Sequence, residues 1–260
     1  MSRTALKLPP ALEALNDPAT KEHLRLVGER VREVVGLGVL AARQESDLKP
    51  LDMAYGIALR LFEADNESYF SIASTGEELR RSLACGPGCT YCCHLFVEVT
   101  PVDAIAVWHR LQADAHRPQR EALAALAPRV AGLTPDSRRA ARVPCALLAD
   151  GACSIYERRP FACRGLYSTS AEACERALLA PEGAALPPIR SPAVPRALAA
   201  VVSSGVNAAL ADHELQKDTL ELTEAVALLL EDPDAAHRWL AGEKVFPPGL
   251  RKFDQAALRP

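Results

Sequence analysis

The segment CGPGCTYCC at residues 85–93 places four cysteines within nine positions. Its Gly-Pro-Gly at 86–88 interrupts both helix and strand, so we expect an irregular loop here. The two glycines allow the backbone to curl and to direct N–H groups at sulfur. The segment therefore predicts a loop that presents thiols. These four cysteines are Cys85, Cys89, Cys92 and Cys93.

A second group of four cysteines follows after 51 residues that contain none. Its members are Cys145, Cys153, Cys163 and Cys174. Eight cysteines in 260 residues amount to about 3%, well below the share in a disulfide-stabilised scaffold. Thiolates are soft ligands that suit zinc, iron and iron–sulfur clusters. In a reducing compartment the two groups therefore predict metal ligands or redox groups.

The adjacent pair Cys92-Cys93 bears on the number of sites. Successive side chains diverge, so two neighbours rarely complete one tetrahedral site. They could serve two metals, or one could bind while the other supports. Eight thiols allow two four-thiolate sites, or one cluster and one zinc. His94 follows directly and is an alternative ligand.

The composition outside the cysteines favours helices. Ala and Leu account for 46 and 36 of the 260 residues, and aromatic residues for 5%. Ala and Leu are strong helix formers, whereas the β-branched and aromatic residues that suit strands are scarce. We therefore expect a mainly α fold, a helical scaffold around an irregular cysteine-rich metal-binding core with little β structure. Fractions of 24% charged and 49% hydrophobic residues exclude wholesale disorder.

Local signals predict where the helices lie. Capping residues and apolar spacing predict the helices. Predicted helix starts are Asp17-Pro18, Thr75 with Glu78, and Thr100 to Asp103. Further helices are predicted near Pro50–Ala64, over Ala122–Val130, and near 196–215, 218–231 (opened by Asp218 with Glu221) and 233–241. Residues 143–167 predict turns and short extended pieces, with a tight turn at Asp150-Gly151. We expect an N-terminal helical region at 1–84, a metal-binding core at 85–190 and C-terminal helices at 191–260, packed as one domain.

Charge and hydropathy limit the partners. The net charge of −3 predicts no attraction to nucleic acid or anionic membrane. The uncharged stretches Ser82–Val97 and Ala197–Ala211 are shorter than the roughly 20 apolar residues of a membrane span. Met1–Pro10 lacks the apolar core of a signal peptide. We therefore expect a cytoplasmic protein.

Together the cysteine segments resemble a known family. CGPGCTYCC at 85–93 is followed by CALL at 145–148, CSIYERRPFACR at 153–164 and CERA at 174–177. These segments are similar to the YkgJ-type cysteine-cluster proteins, the CxxCxxCC zinc- or iron-chelating domains, over roughly residues 85–188. The family usually spaces its first two cysteines by two residues, whereas three intervene here. The resemblance implies metal or cluster binding, with all eight cysteines as candidate ligands.

Basic residues adjoin the second cysteine group. A metal ion held by four thiolates carries net negative charge, which a neighbouring arginine offsets while it donates hydrogen bonds to sulfur. Arg159 and Arg164 are candidates for this supporting role, with Tyr156 beside them. Such hydrogen bonds also tune the reduction potential of an iron–sulfur cluster.

Two functional classes remain after these observations. The spacing of Cys85, Cys89 and Cys92 also fits a radical SAM motif, but that barrel needs alternating strands and helices. Flagellin lysine methylases carry a similar short cysteine cluster. We therefore expect a metal-binding protein with an iron–sulfur cluster or iron, or alternatively zinc. The second hypothesis is an enzyme, either redox or lysine methylase-like, that acts on an unidentified protein partner or substrate.

Overall fold

Helices dominate the structure, as the composition predicts. A computed structural model describes residues 6–72 and 75–247. Of these residues, 63% are helical and 3% lie in strands, so the mainly α class is confirmed. Parts of two expected regions, Met1–Pro10 and 191–260, extend outside the described residues.

The elements are short in the middle of the chain and long on either side of it. The α-helices are α1 (Pro10–Glu13), α2 (Pro18–Glu45), α3 (Lys49–Ser71), α4 (Thr75–Ser82), α5 (Pro101–Arg110), α6 (Arg117–Val130), α7 (Pro135–Ala140), α8 (Phe161–Arg164), α9 (Ala171–Leu179), α10 (Ala193–Asp212), α11 (Leu222–Glu231) and α12 (Ala235–Leu240). The strands β1 (Glu98–Val99) and β4 (Leu220–Glu221) form one antiparallel pair, and β2 (Leu148–Ala149) and β3 (Ala152–Cys153) form another. In the described ranges, 3₁₀ helices lie at Tyr91–His94, Asp114–His116 and Tyr156–Arg158.

The long helices α2, α3 and α10 form the scaffold, and α2 packs against both of the others. The Asp17 carboxylate caps α2 by accepting the Thr20 N–H at 2.8 Å, as the sequence predicts. Glycines allow α2 and α10 to approach closely, because a Cβ on Gly205 would lie 2.3 Å from the Gly28 carbonyl oxygen. The core therefore forms largely between helices that lie outside the cysteine segments.

A buried polar contact connects this scaffold to α8. Tyr55 on α3 donates a hydrogen bond of 2.8 Å to Asp103, which also forms the capping box of α5 with Thr100. Burial raises the pKa of Asp103, and the Phe161 N–H donates to the same carboxylate. The Tyr55 and Phe161 rings lie 5.2 Å apart. The scaffold thus fixes the start of the short helix that carries Cys163.

The middle of the chain confirms some local predictions. Residues 148–153 form a hairpin whose turn residues Asp150 and Gly151 have φ values of 50° and 75°. The predicted helix start at Asp218 is wrong. Leu220–Glu221 pairs with Glu98–Val99 as a strand, and the Glu221 carboxylate caps α11 by accepting a backbone N–H at 2.9 Å. Pairing with a distant strand therefore delays the helix.

Helix α10 is longer than the stretch Ala197–Ala211 that the sequence analysis judged too short to span a membrane. The helix spans 20 residues and, by length and composition alone, is long and apolar enough to cross a membrane. Its side chains Val201, Val202 and Val206 are fully buried against neighbouring helices. Burial of this kind is typical of a core helix, which passes the same test.

Candidate metal centre

The first cysteine group lies on a loop and the 3₁₀ helix that follows it. Cys85 and Cys89 lie in the irregular part, where the Cys89 N–H donates to the Gly86 carbonyl at 3.0 Å. Cys92 and Cys93 lie in the 3₁₀ helix at 91–94, which corrects the expectation that all of this segment is irregular. The fold therefore spreads these four thiols over two local structures.

Backbone contacts bring the second cysteine group to the first. The Cys145 N–H donates to the Cys93 carbonyl at 2.7 Å. The Ser168 N–H, which follows α8, donates to the Cys85 sulfur at 3.2 Å. Helix α9 packs against the 3₁₀ helix and brings Cys174 to this side. The two groups predicted from the sequence thus meet in one region.

Helix α9 is a functional element that the sequence reasoning missed. Ser170 caps it by accepting the Ala173 N–H at 3.1 Å. The sequence does contain a signal for this helix, because Ser170 is a capping residue that precedes an Ala-rich stretch. The helix places Glu175 against Tyr91, where it raises the pKa of the tyrosine through its charge.

Electrostatic neighbours group the eight thiols into two sets that overlap at Cys92. The thiol of Cys85 interacts with Cys89, Cys92 and Cys174, and Tyr91 interacts with two of the same cysteines. The thiol of Cys93 instead interacts with Cys145, Cys153 and Cys163, and Cys92 also interacts with the last two of these. The first set is Cys85, Cys89, Cys92 and Cys174. The second set is Cys93, Cys145, Cys153 and Cys163.

The pair Cys92-Cys93 lies at the boundary between the sets. A hydrogen bond between the two sulfurs raises the pKa of Cys92 and lowers that of Cys93. Burial raises the pKa of Cys163 and raises that of Cys145 to about 11. Buried thiols without a cation therefore remain protonated, and a bound metal would supply the charge that stabilises thiolates.

The sulfurs are gathered but do not converge on single points. All eight cysteines are free rather than disulfide-bonded. Within residues 6–72 and 75–247, no group of three or more His, Cys, Asp or Glu side chains is arranged to hold a metal ion. Rotation of cysteine side chains would therefore have to accompany metal binding.

Arg159, for which the sequence predicts a supporting role, lies close enough to the cysteines to act on them electrostatically. Its guanidinium lies 4.2 Å from the centroid of the Tyr156 ring, a cation–π geometry. Its charge acts on Cys92, Cys153 and Cys163 and lowers their pKa values against the effect of burial. Its Nε is buried without a hydrogen-bond acceptor. This donor without a partner fits a site that gains negative charge at sulfur.

Arg164 has a different role in the geometry. It is buried and donates to the carbonyls of Arg159 at 2.9 Å and Glu157 at 2.6 Å, and it forms an ion pair with Glu63. Its charge lowers the pKa of the Cys153 thiol against the effect of burial. Arg164 therefore holds the backbone that precedes Cys163, in addition to any effect on sulfur.

Arg138 is a third basic residue near the sulfurs, and the sequence reasoning missed it. It is 1% exposed, donates to the carbonyls of Val143 and His94, and interacts electrostatically with Cys145. Its Nε also has no acceptor. No sequence signal distinguishes it, because its helix contains no cysteine and its polar neighbours are not unusual. His94 itself places Nδ1 3.2 Å from the Thr90 carbonyl oxygen.

A comparison with known families identifies the same cysteine-containing segment. A family model described as "CxxCxxCC: Putative zinc- or iron-chelating domain" matches residues 84–177. The matched segment contains all eight cysteines and both arginines at 159 and 164, so the resemblance predicted from the sequence is confirmed. No curated protein and no solved structure matches the chain.

Proposed function

We propose that the protein binds metal at two adjacent four-cysteine sites. The observation that carries this proposal is that the fold brings eight free cysteines from two separate segments into one region. One site would use Cys85, Cys89, Cys92 and Cys174, and the other Cys93, Cys145, Cys153 and Cys163. Adjacent Cys92 and Cys93 would each serve a different site, and metal binding would separate their sulfurs, which are hydrogen-bonded to each other in this structure.

The donor set suits zinc or an iron–sulfur cluster. Four thiolates complete a structural zinc site and also hold [2Fe–2S] and [4Fe–4S] clusters. Arg159 would neutralise part of the charge of the second site, since it interacts with three of the thiols there and at the boundary. A metal with four cysteine ligands has no open coordination position, which favours a structural or delivery role over catalysis. We place this role in the cytoplasm, with neither nucleic acid nor a membrane as a partner.

A cluster-dependent enzyme that acts on a protein substrate is the second candidate. A cleft next to the 3₁₀ helix at 156–158 favours it, because Glu157 and Arg158 line this cleft while Arg159 faces the cysteines. An enzyme of this kind would need an open coordination position at one metal. Spectral change on addition of a substrate would distinguish it from a closed site.

The test is metal analysis with an absorption spectrum on protein purified without oxygen. Brown protein with acid-labile sulfide indicates a cluster, and colourless protein with zinc indicates a zinc site. We expect Cys89→Ser, Cys92→Ser and Cys163→Ser to lose metal while circular dichroism retains the helical signal of α2, α3 and α10. Folded wild-type protein without metal, or full metal content in all three variants, would overturn the proposal.

A further inference from the structure

A cleft separate from the cysteine sulfurs lies between α3, α5 and the 3₁₀ helix at 156–158. Its volume is about 700 Å³, within the range of small-molecule sites. Helix α3 provides one wall with Met53, Gly56, Ile57 and Arg60. Positions three and four apart share a helix face, so these residues form one continuous surface.

Unpaired charges in the cleft are mainly positive. The ion pairs Asp52–Arg158 and Glu63–Arg164 account for two of the carboxylates that line it. Among the described residues, Arg60 and Arg110 have no ion-pair partner, and Glu157 is the remaining carboxylate without one. His109 places Nδ1 3.6 Å from Asp52. The free cationic donors therefore outnumber the free carboxylate.

Gly56 leaves a space between two guanidinium groups. A Cβ at this position would lie 3.4 Å from Arg158 Nη1 and 3.9 Å from Arg60 Nη1. Asp52 binds Arg158 through Nη2 at 2.6 Å, which leaves Nη1 directed at the glycine. The other oxygen of Asp52 is buried without a hydrogen-bond partner, so the contact of Asp52 with Arg158 is through one carboxylate oxygen, which orients the arginine.

Apolar side chains adjoin this cationic space. Met53 is 69% exposed and Ile57 is 38% exposed on the same face of α3. We infer that the cleft binds a small organic anion, with its carboxylate or phosphate oxygens between Arg60 and Arg158 over Gly56 and its apolar body on Met53 and Ile57. Arginine pairs suit both anionic groups because the guanidinium donates two parallel N–H groups.

The test is calorimetric titration of the full-length protein with hexanoate, acetate and inorganic phosphate. Gly56→Ala places a methyl group between the guanidiniums at ordinary contact distance, and Arg60→Met removes one of them. Arg30→Met on α2 is the matched control, because this arginine is exposed and lies outside the cleft. Comparison of phosphate with acetate identifies the preferred anionic group, and comparison of hexanoate with acetate measures the apolar contribution.

We expect hexanoate or phosphate to bind the wild-type protein and to bind at least about tenfold more weakly to Gly56→Ala and Arg60→Met. The control variant should bind as the wild type does. Gly56→Ala should keep or raise the unfolding midpoint, because alanine is the better helix former. The inference is overturned if no probe binds at millimolar concentration, or if the control loses as much affinity as the two cleft variants. Equal binding of hexanoate and acetate would overturn the role of Met53 and Ile57.

Discussion

Replacement of Arg164 by methionine tests whether this arginine holds the loop between two cysteines. Methionine retains an apolar stem but leaves the carbonyls of Glu157 and Arg159, now bonded at 2.6 and 2.9 Å, without their donor. Hydrogen bonds to a charged donor contribute about 1.5 to 3 kcal/mol each when buried. The ion pair with Glu63 adds little, because that carboxylate is 55% exposed. We therefore expect a loss of about 3 to 6 kcal/mol in the free energy of unfolding.

Urea unfolding of metal-free, reduced protein, followed by circular dichroism, measures this loss without a contribution from metal. Arg176→Met is the control, since Arg176 and Glu172 form an ion pair with side chains 60% and 75% exposed. We expect a change of less than about 0.5 kcal/mol there. Arg164→Lys, which keeps the charge but not the forked donors, should fall between the two. If Arg164→Met lowers the free energy of unfolding no more than Arg176→Met does, Arg164 does not hold the loop against α3.

Three further predictions concern packing, pH and metal affinity. Gly205→Ala should lose about 2 to 3 kcal/mol of stability in urea unfolding, because its Cβ would lie 2.3 Å from the Gly28 carbonyl oxygen. Gly56→Ala, whose Cβ would make contacts of 3.4 Å or more, should lose no stability. Equal stability of the two variants would refute the close approach of α2 and α10. Burial lowers the pKa of His213 in the folded protein, whereas a histidine in the unfolded chain has a pKa of about 6.5. The unfolded chain therefore binds a proton more readily, and the folded protein loses stability as the pH falls below about 6.5. His213→Gln should show a shallower loss between about pH 7.5 and 5, and an unchanged pH profile would contradict this. Arg159→Met should weaken metal affinity about tenfold in a chelator competition, whereas unchanged affinity would remove its role beside the thiols.

The helical scaffold was predictable because its signals are local. Asp17-Pro18 caps α2 and Thr100 with Asp103 caps α5, and each pattern lies within four residues along the chain. The strand at Leu220–Glu221 was not predictable in the same way. It exists because of pairing with Glu98–Val99, more than a hundred residues away, and no local pattern encodes a partner at that distance.

The candidate site was predictable in composition but not in arrangement. Thiol chemistry and spacing identify all eight cysteines as candidate ligands, but spacing does not show which thiols meet. Cys174 joins the first set because α9 packs against the 3₁₀ helix, a tertiary contact. Arg138 and the cleft beside Gly56 likewise depend on residues that only the fold brings together.

Metal content per chain in two complementary variants tests the central proposal most directly. One variant carries serine at Cys85, Cys89 and Cys174, and the other at Cys145, Cys153 and Cys163. Elemental analysis of protein purified without oxygen should give about half of the wild-type metal in each variant, because each retains one four-cysteine site. Wild-type protein without metal, or loss of all metal in both variants, would contradict two separate sites.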